Sequence, residues 1–123
     1  MERSAVQQLL QEKNIYSLAI EAALQLYELS TTFPQDETQK LSKPLIQSSN
    51  SVCSHLSEAW QNRGTADVYV DKLSSAATKA NETQDNLKSA MNSGILEPDI
   101  GEKLHDKYEL IIDKITGMLE TNQ

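Results

Sequence analysis

The chain has little of what builds sheets, secreted scaffolds or membrane spans. Four glycines, three prolines and one phenylalanine occur in 123 residues, so tight turns are few and long uninterrupted elements are favoured. Aromatics make up only 5%, whereas Ala, Leu, Glu, Lys and Gln, the good helix formers, abound. One cysteine, Cys53, excludes an intrachain disulfide. With no hydrophobic signal segment after Met1-Glu2-Arg3, it points to the reducing cytoplasm. No apolar run approaches the length that crosses a bilayer, so no membrane association is expected. Positive charge is also short: eleven Lys and Arg stand against eighteen Asp and Glu, a formal charge of −7. That balance repels phosphate backbones and anionic lipid. The class left standing is all-α, in one domain over 1–123, because a chain of this length can bury about two-thirds of its unfolded surface.

The acidic excess is uneven. Residues 93–123 hold seven acids and three bases, whereas 34–63 hold three of each. Four amphipathic segments carry the apolar residues. Ile15, Leu18, Ala22, Leu26 and Leu29 recur at helical intervals over about Asn14 to Thr31. Val6, Leu9 and Leu10 continue that face through Ser4 to Glu12, so residues 1–12 are either an extension of the helix or a frayed terminus. Phe33-Pro34 stops it. Ser42 is the N-cap expected for a second helix, with Pro44 in its first turn, where a missing amide costs nothing. Leu45, Ser49, Val52, Leu56, Ala59 and Trp60 form its inward face, and Gln61-Asn62-Arg63-Gly64 ends it. Thr65 can cap a third helix with the stripe Val68, Tyr69, Leu73, Ala76, Ala80, Thr83, Leu87, Ala90 and Met91, closed by Gly94. Pro98 opens a fourth, followed by Asp99 and Glu102 near its positive end, with Ile100, Leu104, Tyr108, Ile111, Ile115 and Met118 inward. Short connections make an up-down-up-down antiparallel four-helix bundle the simplest architecture.

The second helix contains Gln47-Ser48-Ser49-Asn50-Ser51-Val52-Cys53 and Glu58-Ala59-Trp60-Gln61-Asn62-Arg63. This stretch resembles a signature of a bacterial four-helix-bundle family named for open reading frames in intervening sequences of large-subunit ribosomal RNA. One branch reads approximately Arg-Arg-Ser-Ser-Arg-Ser-Val-Cys-Ala-Asn-Ile-Ala-Glu-Ala-Trp-Arg-Lys-Arg. Gln47, Asn50, Gln61 and Asn62 stand here where that branch is basic. Tyr27, Leu29, Phe33 and Pro34 resemble the family's ending of helix one. Glu82-Thr83-Gln84 with Leu87 and Gly94 resembles its pattern around helix three, and Tyr108, Met118 and Leu119 fit its last helix. The resemblance extends without gaps from about Ile15 to Met118. It implies small bundles that assemble as rings, commonly pentamers. Relatives include the accessory protein that helps the reverse transcriptase of diversity-generating retroelements, whose rings bind nucleic acid and polymerase through basic surfaces.

Each chemical motif competes with a plainer reading. Glu102-Lys103-Leu104-His105 is a Glu-x-x-His sequence of the kind that binds iron or manganese in bundles, but such sites need two copies and this chain has one, so no metal and no cofactor are expected. Cys53 and His55 fall about 200° apart on one helix and cannot pair as nucleophile and base. A buried, inert thiol is the simpler reading. No phosphate loop, Cys-x-x-Cys or nucleophile elbow occurs. The sequence therefore offers no enzyme.

Two surfaces remain. Tyr16, Ile20, Ala23 and Tyr27 form a second apolar line on helix one, and Ile112 and Leu119 flank the core line of helix four. This surplus is either a broad core or a subunit interface, and the interface is favoured because contiguous exposed apolar patches usually mark one. Trp60, Arg63 and Tyr69 cluster near the turn after helix two. With Lys40 and Lys43 they are candidates for binding a partner or nucleic acid, against a plainer reading of Trp60 as an aromatic cap on the bundle. The leading expectation is a non-catalytic, oligomeric scaffold or adaptor that binds a protein partner, with a pentamer favoured. The alternative is a nucleic-acid-binding accessory protein of a reverse transcriptase, which the negative charge disfavours.

Overall fold

The computed structural model describes residues 2–121, and side chains over 14–37 and 40–121. Four long helices account for most of the described chain, and no strand occurs among the described residues. They are α1 (Glu2–Ser30), α2 (Lys43–Gln61), α3 (Ala66–Asn92) and α4 (Pro98–Thr121). Helix α1 packs on α2 and α4, and α3 on the same two, so sequential neighbours surround one core. The direction is antiparallel: Thr83 near the end of α3 meets Ser48 near the start of α2, while Lys72 near the start of α3 meets Glu58 near the end of α2. None of the helices is long and apolar enough, over the described residues, to cross a membrane.

The helix boundaries have local causes. Helix α1 is continuous through the segment that the sequence left open, although the side chains of Val6, Leu9 and Leu10 lie outside the described residues. Between α1 and α2 the chain makes a 3-10 turn at Gln35–Glu37 and a π-helical turn at Thr38–Ser42. That continuous coil corrects the capping expectation for Ser42. Its backbone is already helical and its hydroxyl caps nothing, because the turn before it supplies the entry to α2. Pro44 does sit in the first turn. Thr65 holds the N-cap position of α3 in an extended conformation, and its carbonyl accepts from Tyr69 N–H at 2.9 Å, but its hydroxyl makes no capping bond.

Gly94 has the positive φ of 74° that closes α3. The amide of Ile95 bonds Ala90 O at 3.1 Å and that of Gly94 bonds Met91 O at 3.0 Å, the paired bonds of a Schellman ending. Pro98 then opens α4. One turn later Gly101 is buried, and a Cβ there would overlap the Met91 side chain, so this glycine sets how closely α4 approaches α3.

The core follows the periodic stripes. Ile15, Leu26, Leu45, Val52, Leu73, Leu87, Leu104, Ile111 and Ile115 are fully buried. Ala19, Ala22, Ala76, Ala80 and Ala90 are buried between them and, being small, let the helix axes come close. Leu18, Leu29, Met91 and Ile100 lie at its margin. Trp60 departs from the expected inward face: it is 38% exposed although Ala59 in the same turn of α2 is buried, because it lies at the edge of the inward arc.

Candidate functional site

Helix α2 presents two different flanks. Toward α3, Ser48 is buried, and its hydroxyl accepts from Thr83 Oγ1 at 2.9 Å and from Asn86 Nδ2 at 3.3 Å. Asn86 Nδ2 also donates to Pro44 O at 3.2 Å. A carbonyl can only accept, so this bond fixes which way the Asn86 amide faces. The signature is thereby divided. Ser48, Ser49, Val52 and Ala59 point inward, while Gln47 and Asn50 are exposed.

The exposed half lines a groove of about 550 Å³ between α2 and α3. Pro44, Gln47, Ser48, Asn50 and Ser51 form the α2 wall. Lys79, Glu82 and Asn86 form the α3 wall, with Lys79 Nζ 3.1 Å from the Glu82 carboxylate. Of the positions where the resembling branch is basic, Gln47 and Asn50 are in this groove. Of the α3 wall, the sequence reading named only Glu82, as part of the helix-three pattern and not as a surface. Its signal was the polar line 79, 82, 86 at helical spacing, immediately beside the buried stripe residue Thr83.

Toward α1, the surface is apolar. Tyr16 is 40%, Leu24 59% and Tyr27 58% exposed, with Ile20 and Ala23 half-buried between them. At 100° per residue these five occupy an arc of about 100° on α1. Gln25, which accepts from Lys107 Nζ of α4 at 3.3 Å, marks the opposite side, so the apolar arc falls on the α2 side. On α2 the line Ile46, Cys53, Trp60 lies away from α3 by the same geometry.

Ile112 and Leu119 are half-buried and packed on the core. They continue, at seven-residue spacing, the line of His105, whose carbonyl accepts from Gln84 of α3. They therefore lie on the α3 seam of α4, on the other side of the bundle from Tyr16 and Tyr27. Leu24, and Leu110 at 46% exposed, are apolar surface residues that the sequence reading passed over.

The candidate binding cluster does not assemble. Lys40, in the π-helical turn before α2, and Lys43, at its start, are exposed, whereas Trp60 stands in its last turn, about 25 Å along the axis from Lys43. Tyr69 is buried, in keeping with its place in the inward stripe of α3, and this removes it from the binding candidates. What survives is a platform: the Arg63 guanidinium lies 4.2 Å from the Trp60 ring centroid and donates to Trp60 O at 2.8 Å. Both residues are exposed.

Among the described residues the remaining titratable groups stand as follows. Burial pushes the Cys53 thiol up to about 11, against a smaller opposing backbone hydrogen bond. The phenol of fully buried Tyr108 is also pushed up, first by burial, then by the neighbouring thiol, with Ser49 opposing. Its hydroxyl has no well-formed hydrogen bond. His55 faces Glu58, 4.0 Å away. Glu58 in turn bonds Lys72 at 2.8 Å, which lowers the carboxyl and raises the ammonium. Glu102 is exposed, and His105 Nδ1 lies 3.9 Å from the Asp106 carboxylate. Among the described residues no group of three or more His, Cys, Asp or Glu could hold a metal ion.

A small all-α bundle with a polar groove and an exposed apolar flank is thus the class of protein defined here. The family model described as 23S rRNA-intervening sequence protein matches residues 11–117, and the chain belongs to that family. No curated protein matches it significantly. Among solved structures it is similar to a protein of unknown function from the S23 ribosomal protein family of Bacteroides thetaiotaomicron. The TM-score is 0.81 and the identity 19%, over 89% of this chain and 98% of that one. At that identity the likeness shows the fold.

Proposed function

We propose that the protein is a non-catalytic, ring-forming helical scaffold, most simply a pentamer, that presents its polar α2 surface to a protein partner. The observation that carries this reading is the apolar flank of α1, where Tyr16, Leu24 and Tyr27 are exposed along one continuous line. A monomer leaves that line in water, and contiguous apolar surface of this kind marks contact with another chain. The half-buried Ile112 and Leu119 lie across the bundle, on the α3–α4 seam. Two unlike faces on opposite sides suit a head-to-tail contact, which closes into a ring, better than a two-fold one. Light scattering coupled to size exclusion, at micromolar concentration, tests it. A species several times the 13.7 kDa monomer supports the ring, and a monomer that persists as concentration rises ends the proposal. Tyr27→Glu should release monomers that keep full helicity.

A second reading, a nucleic-acid-binding accessory protein of a reverse transcriptase, is favoured by one observation, the exposed Arg63–Trp60 platform. Aromatic–cation platforms stack bases. Against it stand the charge of −7 and the uncharged Gln47, Asn50, Gln61 and Asn62. Affinity for duplex or single strands should be no tighter than about 10⁻⁴ to 10⁻⁶ M near physiological salt. Arginine at those four positions should raise it and steepen its salt dependence. Nanomolar binding by the unmodified protein, abolished by Arg63→Ala, would put this second reading first.

A further inference from the structure

We infer that the α2–α3 groove is a binding site for an extended, uncharged stretch of polypeptide, gripped through its main-chain amides. The inference rests on the adaptor reading and names the chemistry of the partner. Gln47, Asn50 and Ser51 bring side chains that both donate and accept, and Asn86 adds an acceptor, which is what alternating peptide N–H and C=O groups need. Asn86 is pre-set for the task. Both of its amide hydrogens are engaged, by Pro44 O and Ser48 Oγ, so its Oδ1 is held as an acceptor. Fixing that group in advance lowers the entropy cost of binding.

Size and charge narrow the occupant. Lys79 to Asn86 spans about 10 Å of helix, the reach of about three residues of extended chain. The groove is electrically balanced, because its one ammonium, Lys79, is paired with its one carboxylate, Glu82. Phosphate recognition draws on cations that are free to replace counterions, and this groove offers none beyond that pair. A peptide backbone carries no charge and loses nothing by that balance.

The test is panning of a random peptide library on the full chain, followed by titration of each enriched peptide, synthesised with blocked ends, into ¹⁵N-labelled protein. The side-chain amide signals of Gln47, Asn50 and Asn86 should shift first. Affinity should fall by at least about tenfold when a central peptide amide is N-methylated, and equally for Asn50→Trp, which fills the groove from an exposed position without touching the core. Failure to enrich any peptide, equal binding to Asn50→Trp, or oligothymidylate shifting these signals at lower concentration than any peptide would overturn the inference. Light scattering on the same samples reads the ring separately. A monomer that binds peptide removes the ring and leaves the groove, and a ring that binds none does the reverse.

Discussion

On its α3 side, α2 carries Ser48, which is buried and bonded to Thr83 and Asn86 across the seam. On its α1 side the same helix carries Ile46, Cys53 and Trp60, and α1 answers with Ile20, Leu24 and Tyr27. The first flank is directional. Each hydroxyl and amide has one register in which its partners are satisfied, and a slip would leave buried polar groups unpaired. The second flank is not directional, because apolar contact scales with area and tolerates many partners. A helix built this way can lock onto one neighbour with its polar flank and keep apolar surface for another chain. The difference between the flanks can be broken at several points.

Thr83→Val should have the largest effect. It removes the donor to Ser48 from a fully buried position and should destabilise by about 1–3 kcal/mol in urea denaturation. Tyr27→Ala, measured on monomer, should stay within about 0.5 kcal/mol, as surface changes do. Equal costs at the two sites would erase the distinction.

Ser48→Ala combined with Thr83→Val should cost less than the two single changes summed. The bond between the two hydroxyls can be lost only once, so the double variant should fall short of the summed costs by at least about 0.5 kcal/mol. Strict additivity would mean that the two hydroxyls do not work as a pair.

Alkaline pH probes the other flank. The Cys53 thiol rises from its ordinary 9.0 to about 11 in the folded chain. The unfolded chain therefore loses its proton first, so stability is intact below about pH 9 and falls as pH climbs from there to about 11. Tyr108, shifted in the same direction, adds to the loss further up. Thermal melts across that range should move downward, and less so for Cys53→Ala. A thiol that reacts with alkylating agents at pH 8 as fast as free cysteine would mean this flank is open to water.

The smallest effect belongs to Glu58→Gln. Its bond to Lys72 is short, at 2.8 Å, but both side chains remain partly open to solvent, and such pairs contribute little against solvent and salt. The urea midpoint should not move measurably. A clear shift would give the α2–α3 flank an electrostatic share that the hydroxyl network does not account for.

Much of the fold was legible because it depends on local chemistry. Pro98 opened α4 and Gly94 closed α3 where their backbone preferences put them. Leu104, Tyr108, Ile111 and Ile115 lay on one face by periodicity alone. Trp60 misled, because periodicity gives direction around a helix and not how wide an arc the neighbours cover. Ser42 misled for a related reason: its side chain suits a cap, but the π-helical turn before it left nothing to cap.

The candidate site was legible only in half. The exposed amides of α2 could be read from the signature, whereas Lys79, Glu82 and Asn86 become its other wall only when a second helix lies alongside. Ser48 and Thr83 are thirty-five positions apart, and no local rule pairs them. Composition and periodicity by themselves determined four amphipathic helices, most of their ends and most of their inward faces, since each depends on residues within a turn of one another. Tertiary structure alone decided which polar side chains meet across the α2–α3 seam and which apolar ones are left in water beside α1, because burial depends on the neighbour that packs and not on the residue itself.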